Sequence, residues 1–257
     1  MYYKKLKAIC CTLILSLFFG PALAIDLNSI SKMTEVYPPY NYSEGGAIKG
    51  IAVDLLIAAS YKINQAVKRQ DIHVVPWARG YRSALNDTNI LLFSTTRTKE
   101  REELFKWAGP IAKTRIVLFA KKSNKIRITS ADDIKNYSIG AVRDDVGQQL
   151  IEGLGVAKSA IQLSNKANSL IKKLDAGRIE LIAYEENVAR WFIKSNGLKN
   201  ENYETVYVLK EGELYFSFSK DVSDAVIQTL QKGIDEVKKS PGKIGKTLYE
   251  DILSEYL

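Results

Sequence analysis

Histidine and cysteine are almost missing from this 257-residue chain, which has one histidine, His73, and two adjacent cysteines, Cys10 and Cys11. That leaves no Cys/His nucleophilic dyad, no CxxC redox or zinc motif, and no HxxxH metal pair. The sequence also lacks a GxSxG nucleophile elbow, a GxGxxG dinucleotide turn and a GxxxxGK[ST] phosphate loop. No run of basic residues is interleaved with aromatics on one element, so there is no nucleic-acid signature. No apolar run after residue 24 is long enough to span a bilayer. His73 lies in the alternating run Ile72-His73-Val74-Val75 and reads as a strand or surface histidine rather than a base. Catalytic and metal chemistry are therefore sparsely provided for, and no cofactor is expected.

The N-terminus accounts for several of these features. Lys4, Lys5 and Lys7 precede an apolar core from Ala8 to Phe19, followed by the small-residue site Ala22-Leu23-Ala24. This is the pattern of a cleaved secretory signal peptide over residues 1–24. Cleavage leaves 233 residues without a thiol and, with those three lysines gone, a formal charge of +5 in place of +8. An exported chain without disulfides must be held by its core alone, which this length allows. The remaining lysines are scattered, and the modest positive charge favours an anionic or zwitterionic ligand.

Strand-like and helix-like segments alternate along the rest, an α/β pattern. Strands are predicted at Ser31–Tyr37, Asp71–Val75, Asn89–Thr95, Thr114–Ala120, Tyr137–Val142, Ile179–Tyr184, Tyr203–Leu209 and Glu213–Phe218. Helices are predicted at Gly50–Val67, Pro76–Leu85, Ala167–Ala176 and Glu186–Ser195, with a short one in Ser130–Lys135 capped by Ser130 and another after Gly147. Val222–Tyr256 reads as largely helical, broken at Ser240-Pro241-Gly242. Two break points, near Arg115–Lys121 and Lys210–Leu214, isolate a middle block of the chain. A chain that leaves one lobe and returns to it makes a two-strand hinge. The expected division is lobe I over 25–116 and 214–257, and lobe II over 117–213.

The stretch Ser94–Pro110, STTRTKEREELFKWAGP, follows the apolar run Ile90–Phe93. Hydroxyls and two arginines delivered by a strand end can hold an oxyanion, the guanidinium through parallel hydrogen bonds. The alternative is a surface loop of solvated ion pairs among Arg97, Lys99, Glu100, Arg101, Glu102 and Glu103.

Five segments in series, YPPYNY, GIAVDLL, PWARGY, RTKEREELFKWAGP and DAGRIELIAYEEN, resemble the periplasmic solute-binding proteins of extracellular family 3. The resemblance implies a two-lobed type II periplasmic-binding-protein fold, a Venus flytrap with two hinge crossovers. It implies that Tyr37 stacks on the ligand, with Tyr40 nearby as packing or contact and Glu35 on the same wall. Trp77 stacks on ligand or closes the lobe core. Thr96 and Arg101 take the positions that hold an α-carboxylate, and Ser94 and Thr98 add hydrogen bonds. Arg97 is a second clamp or a surface residue, and LFKWAGP belongs to core and turn. Across the cleft, Arg143 and Asp144 occupy the loop that approaches the ligand, with Asp144 and Asp145 standing where a Ser-Gly pair is common. Glu185 falls where the family holds an α-amine, with Tyr184 beside it. Asp54 reads as structural, an acid in a helix's first turn.

The function implied is a monomeric periplasmic receptor that captures an amino acid or similar small polar solute and presents it to an ABC permease. A dehydratase-like enzyme on the same fold would need Glu35, Asp144 or Glu185 as its acid or base. A sensor module is the third possibility, and the sequence shows no second apolar span or signalling domain to support it.

Overall fold

The structure is a computed structural model that describes residues 26–257; the signal peptide expected over residues 1–24, and both cysteines, lie outside them. Ten strands and seven α-helices are built among the described residues. Eight strands form one sheet in the order β4-β1-β5-β10-β6-β9-β7-β8. The first group is β1 (Ser31–Thr34), β4 (Ile72–Val74) and β5 (Ile90–Thr96), all parallel. The last group is β7 (Ile139–Val142), β8 (Ile161–Ser164) and β9 (Leu181–Glu185), also parallel. Joining the two groups are β6 (Lys106–Lys121) and β10 (Tyr203–Phe218), two antiparallel strands of 16 residues each. The separate hairpin is β2 (Tyr42–Glu44) with β3 (Ala47–Lys49).

Strand partners change along this central pair. β10 pairs with β5 over Leu214–Phe218, whereas β6 pairs with β9 over Ile116–Ala120. The break points read from the sequence fall on these two strands. The sequence missed their continuity, because Gly212 and Gly109-Pro110 read as interruptions. The ladder instead absorbs the irregularity through register shifts, one of them between Leu214 and Phe216. At that bulge Gly109 N donates to Gln231 Oε1 and Gly109 O accepts from Gln231 Nε2, both at 2.8 Å. Gln231 belongs to α6 (Asp224–Lys239), so a helix side chain supplies the hydrogen bonds that the bulge removes.

The remaining helices are α1 (Ile51–Lys62), α2 (Trp77–Asn86), α3 (Val146–Gly153), α4 (Ala167–Asp175), α5 (Glu186–Ser195) and α7 (Leu248–Tyr256). α1 ends five residues before the predicted boundary at Val67, since Asn64 takes a left-handed φ of 57°. Beyond it, Val67 is still buried and its N–H donates to Ser60 Oγ. The predicted helix at Ser130 is a 3₁₀ turn, Asp132–Asn136, and its cap runs in reverse: Asp133 accepts from Thr129 N and Ser130 N. Apolar packing covers the sheet's two faces, with a large core around Phe93, Phe216, Phe218 and Leu230 and a second around Leu118, Ile139 and Leu181.

Candidate functional site

The chemistry-bearing residues collect where the strands β1, β5, β7 and β9 end, the place where open α/β sheets present ligand sites. The turn after β1 is held from three directions. Tyr37 N donates to Asn41 O at 2.7 Å, and Asn41 Nδ2 donates to Glu35 O at 2.7 Å. Ser94 Oγ donates to Asn41 Oδ1 from β5. The N-terminus of α1 completes the support, because Ala52 N donates to Tyr40 O at 2.8 Å. Gly50 takes φ 123° there, and a β-carbon on it would collide with the Pro39 and Tyr40 carbonyls. These contacts fix Tyr37 and Tyr40 with ring centroids 5.6 Å apart, both buried.

Arg101 lies just past β5, on the turn that leads into Glu102–Leu104, and only 1% of it is exposed. Its guanidinium rests on two aromatic faces of α2, 5.0 Å from the Tyr81 centroid and 5.6 Å from that of Trp77. Contacts of this kind contribute about 0.5–2 kcal/mol each. Arg101 Nη1 donates to Thr96 O at 3.3 Å and Nε to Gln149 Oε1 at 2.9 Å, while buried Nη2 has no partner among the described residues. Burial pushes its pKa down from the ordinary arginine value.

The opposite wall is built from helix N-termini. Asp145 is the N-cap of α3, accepting from Gly147 N at 3.2 Å, and Gly147 lets the helix start against the Ala183 carbonyl of β9. Glu185 ends β9 and caps α5, accepting from Val188 N at 2.8 Å, Tyr40 OH at 3.1 Å and Asn187 Nδ2 at 3.4 Å. Burial pushes the Glu185 carboxyl up to about 7, although all these donors favour its ionised form. Burial likewise raises Asp145, with Arg101 pulling it back. Glu35, half-buried, is held well above the usual range by burial and then by Asp145. The Tyr184 hydroxyl is buried without a partner among the described residues.

The two walls meet directly. Trp77 Nε1 donates to the Asp144 carbonyl at 2.9 Å, Arg101 reaches Gln149 and Tyr40 reaches Glu185. Tyr37 and Tyr184 stand edge to face at 5.7 Å. Asp144 takes a left-handed φ of 60°, which turns its carbonyl toward Trp77.

Of the residues singled out by sequence, the structure brings Tyr37, Tyr40, Trp77, Thr96, Arg101, Asp144, Tyr184 and Glu185 to one cleft. Ser94 sits behind it, in a left-handed bulge with its hydroxyl used by Asn41. Arg97 turns away and pairs with Glu102 at 2.8 and 2.5 Å, stacked on Trp107 and Tyr215. Arg143 is exposed and donates to Asn165 at 3.3 Å. Asp54 holds Arg69 and Tyr256 outside the cleft, and His73 is exposed on β4. Tyr81, Gln149 and Asn187 belong to the site without having been singled out. Tyr81 was open to detection, lying one helical turn after Trp77; Gln149 and Asn187 carry no local signal. No group of three metal-binding side chains occurs among the described residues.

The fold is the two-lobed type II periplasmic-binding-protein fold, joined by a two-strand connection. A histidine kinase sensor domain with similarity to periplasmic binding proteins superposes with a TM-score of 0.74 at 16% identity, covering 88% of this chain and 96% of its own. An ABC uptake transporter substrate-binding protein from Streptococcus pneumoniae with bound histidine gives 0.73 at 19% identity, covering 90% and 93%. The model of the bacterial extracellular solute-binding proteins, family 3, matches residues 31–248, and the chain belongs to that family. The arginine-binding extracellular protein ArtP of Bacillus subtilis is 23% identical over 164 residues, a match spanning 62% of each chain and so less than two thirds of that relative.

Proposed function

We propose that this protein is an exported receptor that closes its lobes over an amino acid and delivers it to an ABC permease, without chemical turnover. Arg101 carries the reading. It is a fully buried cation whose Nη2 lacks a partner among the described residues, and the Tyr184 hydroxyl, likewise without one there, is also a donor. Two buried donors call for an acceptor, and burial of the guanidinium makes an anion the favourable one. Asp145, buried, and Glu35, half-buried, both have raised pKa values and call for a cation. An amphoteric solute meets both demands at once. The amino-acid ligands named for ArtP and for the pneumococcal protein support the same class.

In this reading, residues 25–116 with 214–257 form one lobe and 117–213 the other, and β6 and β10 bend between them. Ligand binding stabilises the closed state through its higher affinity for that state. The test is a thermal-shift panel of amino acids, followed by mass spectrometry of whatever is released from the denatured protein. A ligand at about 100 times its Kd adds roughly 2.7 kcal/mol of stability. Arg101→Ala should abolish the shift. Retention of the shift in that variant, or consumption of the ligand, would overturn the proposal.

A further inference from the structure

Helix α5 meets the other lobe at a second place, away from the clustered charges. Its buried stripe, Val188, Ala189, Phe192 and Ile193, packs into its own lobe. Asn187 and Trp191 stand four residues apart on one flank of the helix, off that stripe. Asn187 Nδ2 donates to the Tyr40 hydroxyl at 3.2 Å. Trp191 meets the ring of Tyr42, with centroids 5.7 Å apart and planes tilted by 52°. One flank of α5 thus touches two tyrosines of the same short segment, and a large side chain outside its own lobe's stripe is partly covered from the opposite lobe.

Tyr42 is buried and fixed from behind. Tyr256, in α7, stands edge-on to it at 6.4 Å, and the Tyr256 hydroxyl donates to Asp54 Oδ2 at 2.6 Å. Asp54 also accepts from Arg69 Nη2 at 2.6 Å, and the Lys49 ammonium lies 5.5 Å from the Tyr42 centroid. The ring is therefore a prepared platform on lobe I, anchored outside the cleft, and Trp191 is the lobe II group that lands on it.

We infer that Trp191 and Tyr42 form a latch that raises affinity by holding the lobes together, equally for every solute the cleft accepts. The inference rests on the receptor reading above and on its lobe division. A contact made only in the closed state adds to the stability of closure, and so lowers Kd by one common factor. It forms after encounter, so it slows release and leaves association unchanged.

Isothermal titration and stopped-flow release, run with each amino acid that wild-type protein binds, test the latch. Trp191→Ala should weaken all of them by the same factor, about two- to tenfold, the range of one aromatic pair. The whole change should appear in the dissociation rate, and Trp191→Phe should restore most of the loss. Tyr42→Ala cuts the same contact from the other lobe, so the double variant should bind no more weakly than the weaker single one. Should Tyr42→Ala fail to fold, Trp191→Ala and Trp191→Phe decide the matter.

Unchanged affinity in Trp191→Ala, a factor that differs between ligands, a change carried by the association rate, or additive losses in the double variant would each overturn the latch while leaving the receptor reading in place. If wild-type protein binds no amino acid, both fall.

Discussion

The two walls of the cleft are built on different principles. On one wall the Arg101 side chain lies on the faces of Trp77 and Tyr81 and caps no helix, and its Nη2 has no partner among the described residues. On the other, Asp145 and Glu185 each accept the first free N–H groups of a helix, α3 and α5. One donor of the cation is therefore spare to the fold, while the acids serve the fold as caps. Substitutions on the first wall should separate binding from stability, and substitutions on the second should mix them.

The sharpest test of the contrast is Arg101→Met. Losing a buried charged partner of the ligand should weaken binding by about 2–5 kcal/mol. The unliganded melting temperature should hold or rise, because a buried unpaired charge is costly and an apolar side chain of similar length is not. Calorimetry of binding and of unfolding on the same sample checks both. A large loss of unliganded stability would make Arg101 a scaffold residue and remove the contrast.

Glu185→Gln probes the other wall. The Glu185 carboxyl is raised to about 7 from an ordinary 4.5, with burial as the main cause. In the folded protein it holds its proton more tightly than in the unfolded chain, so its contribution is fully present below about pH 4.5. That contribution is lost as pH rises through about 7, by roughly 3 kcal/mol at most. Urea unfolding at pH 5 and pH 8 should show wild type losing stability relative to Glu185→Gln between the two values. A constant difference across that window would show that Glu185 stays ionised in the fold.

Trp77→Phe keeps a ring under Arg101 but removes the donor to the Asp144 carbonyl. It should reduce ligand affinity by about 1 kcal/mol, since that bond joins the two walls only when they meet. Titration of the variant beside wild type would detect it, and an unchanged affinity would mean that the contact adds nothing to closure. The smallest effect belongs to Arg97→Ala. Its pairing with Glu102 is partly exposed and should contribute at most about 1 kcal/mol of stability, with no change in affinity. A weakened affinity would restore Arg97 as a second clamp.

The order of strands and helices was legible because each segment carries its own period and punctuation: the apolar run Ile90–Phe93, the proline opening α2, the glycine after α4. Neither the end of α1 nor the unity of β10 was. The first is decided by Asn64 turning left-handed, and the second by pairing with β6 across positions that locally look broken. The resemblance gave Arg101 the carboxylate clamp but left Arg97 open between a second clamp and a surface residue. They stand four residues apart in a segment of mixed charge, and only the bulge at Ser94 and the turn before Glu102 send one inward and the other to Glu102. Gln149 and Asn187 become neighbours of Arg101 and Tyr40 through tertiary packing, which no spacing rule encodes.

The central strand pair has one further consequence. Around Lys113–Arg115 and Glu211–Glu213, β6 and β10 pair with each other, between the stretch flanked by β5 and the stretch flanked by β9. A ribbon of two strands twists more readily than the interior of a wide sheet. On the proposed closure, the ribbon acts as a torsion bar: its two rails share one ladder, so neither can slide independently. The opening and closing of the cleft then reduce to winding about one axis, and the angle of that winding is set by backbone hydrogen bonds remote from any side chain that meets the solute.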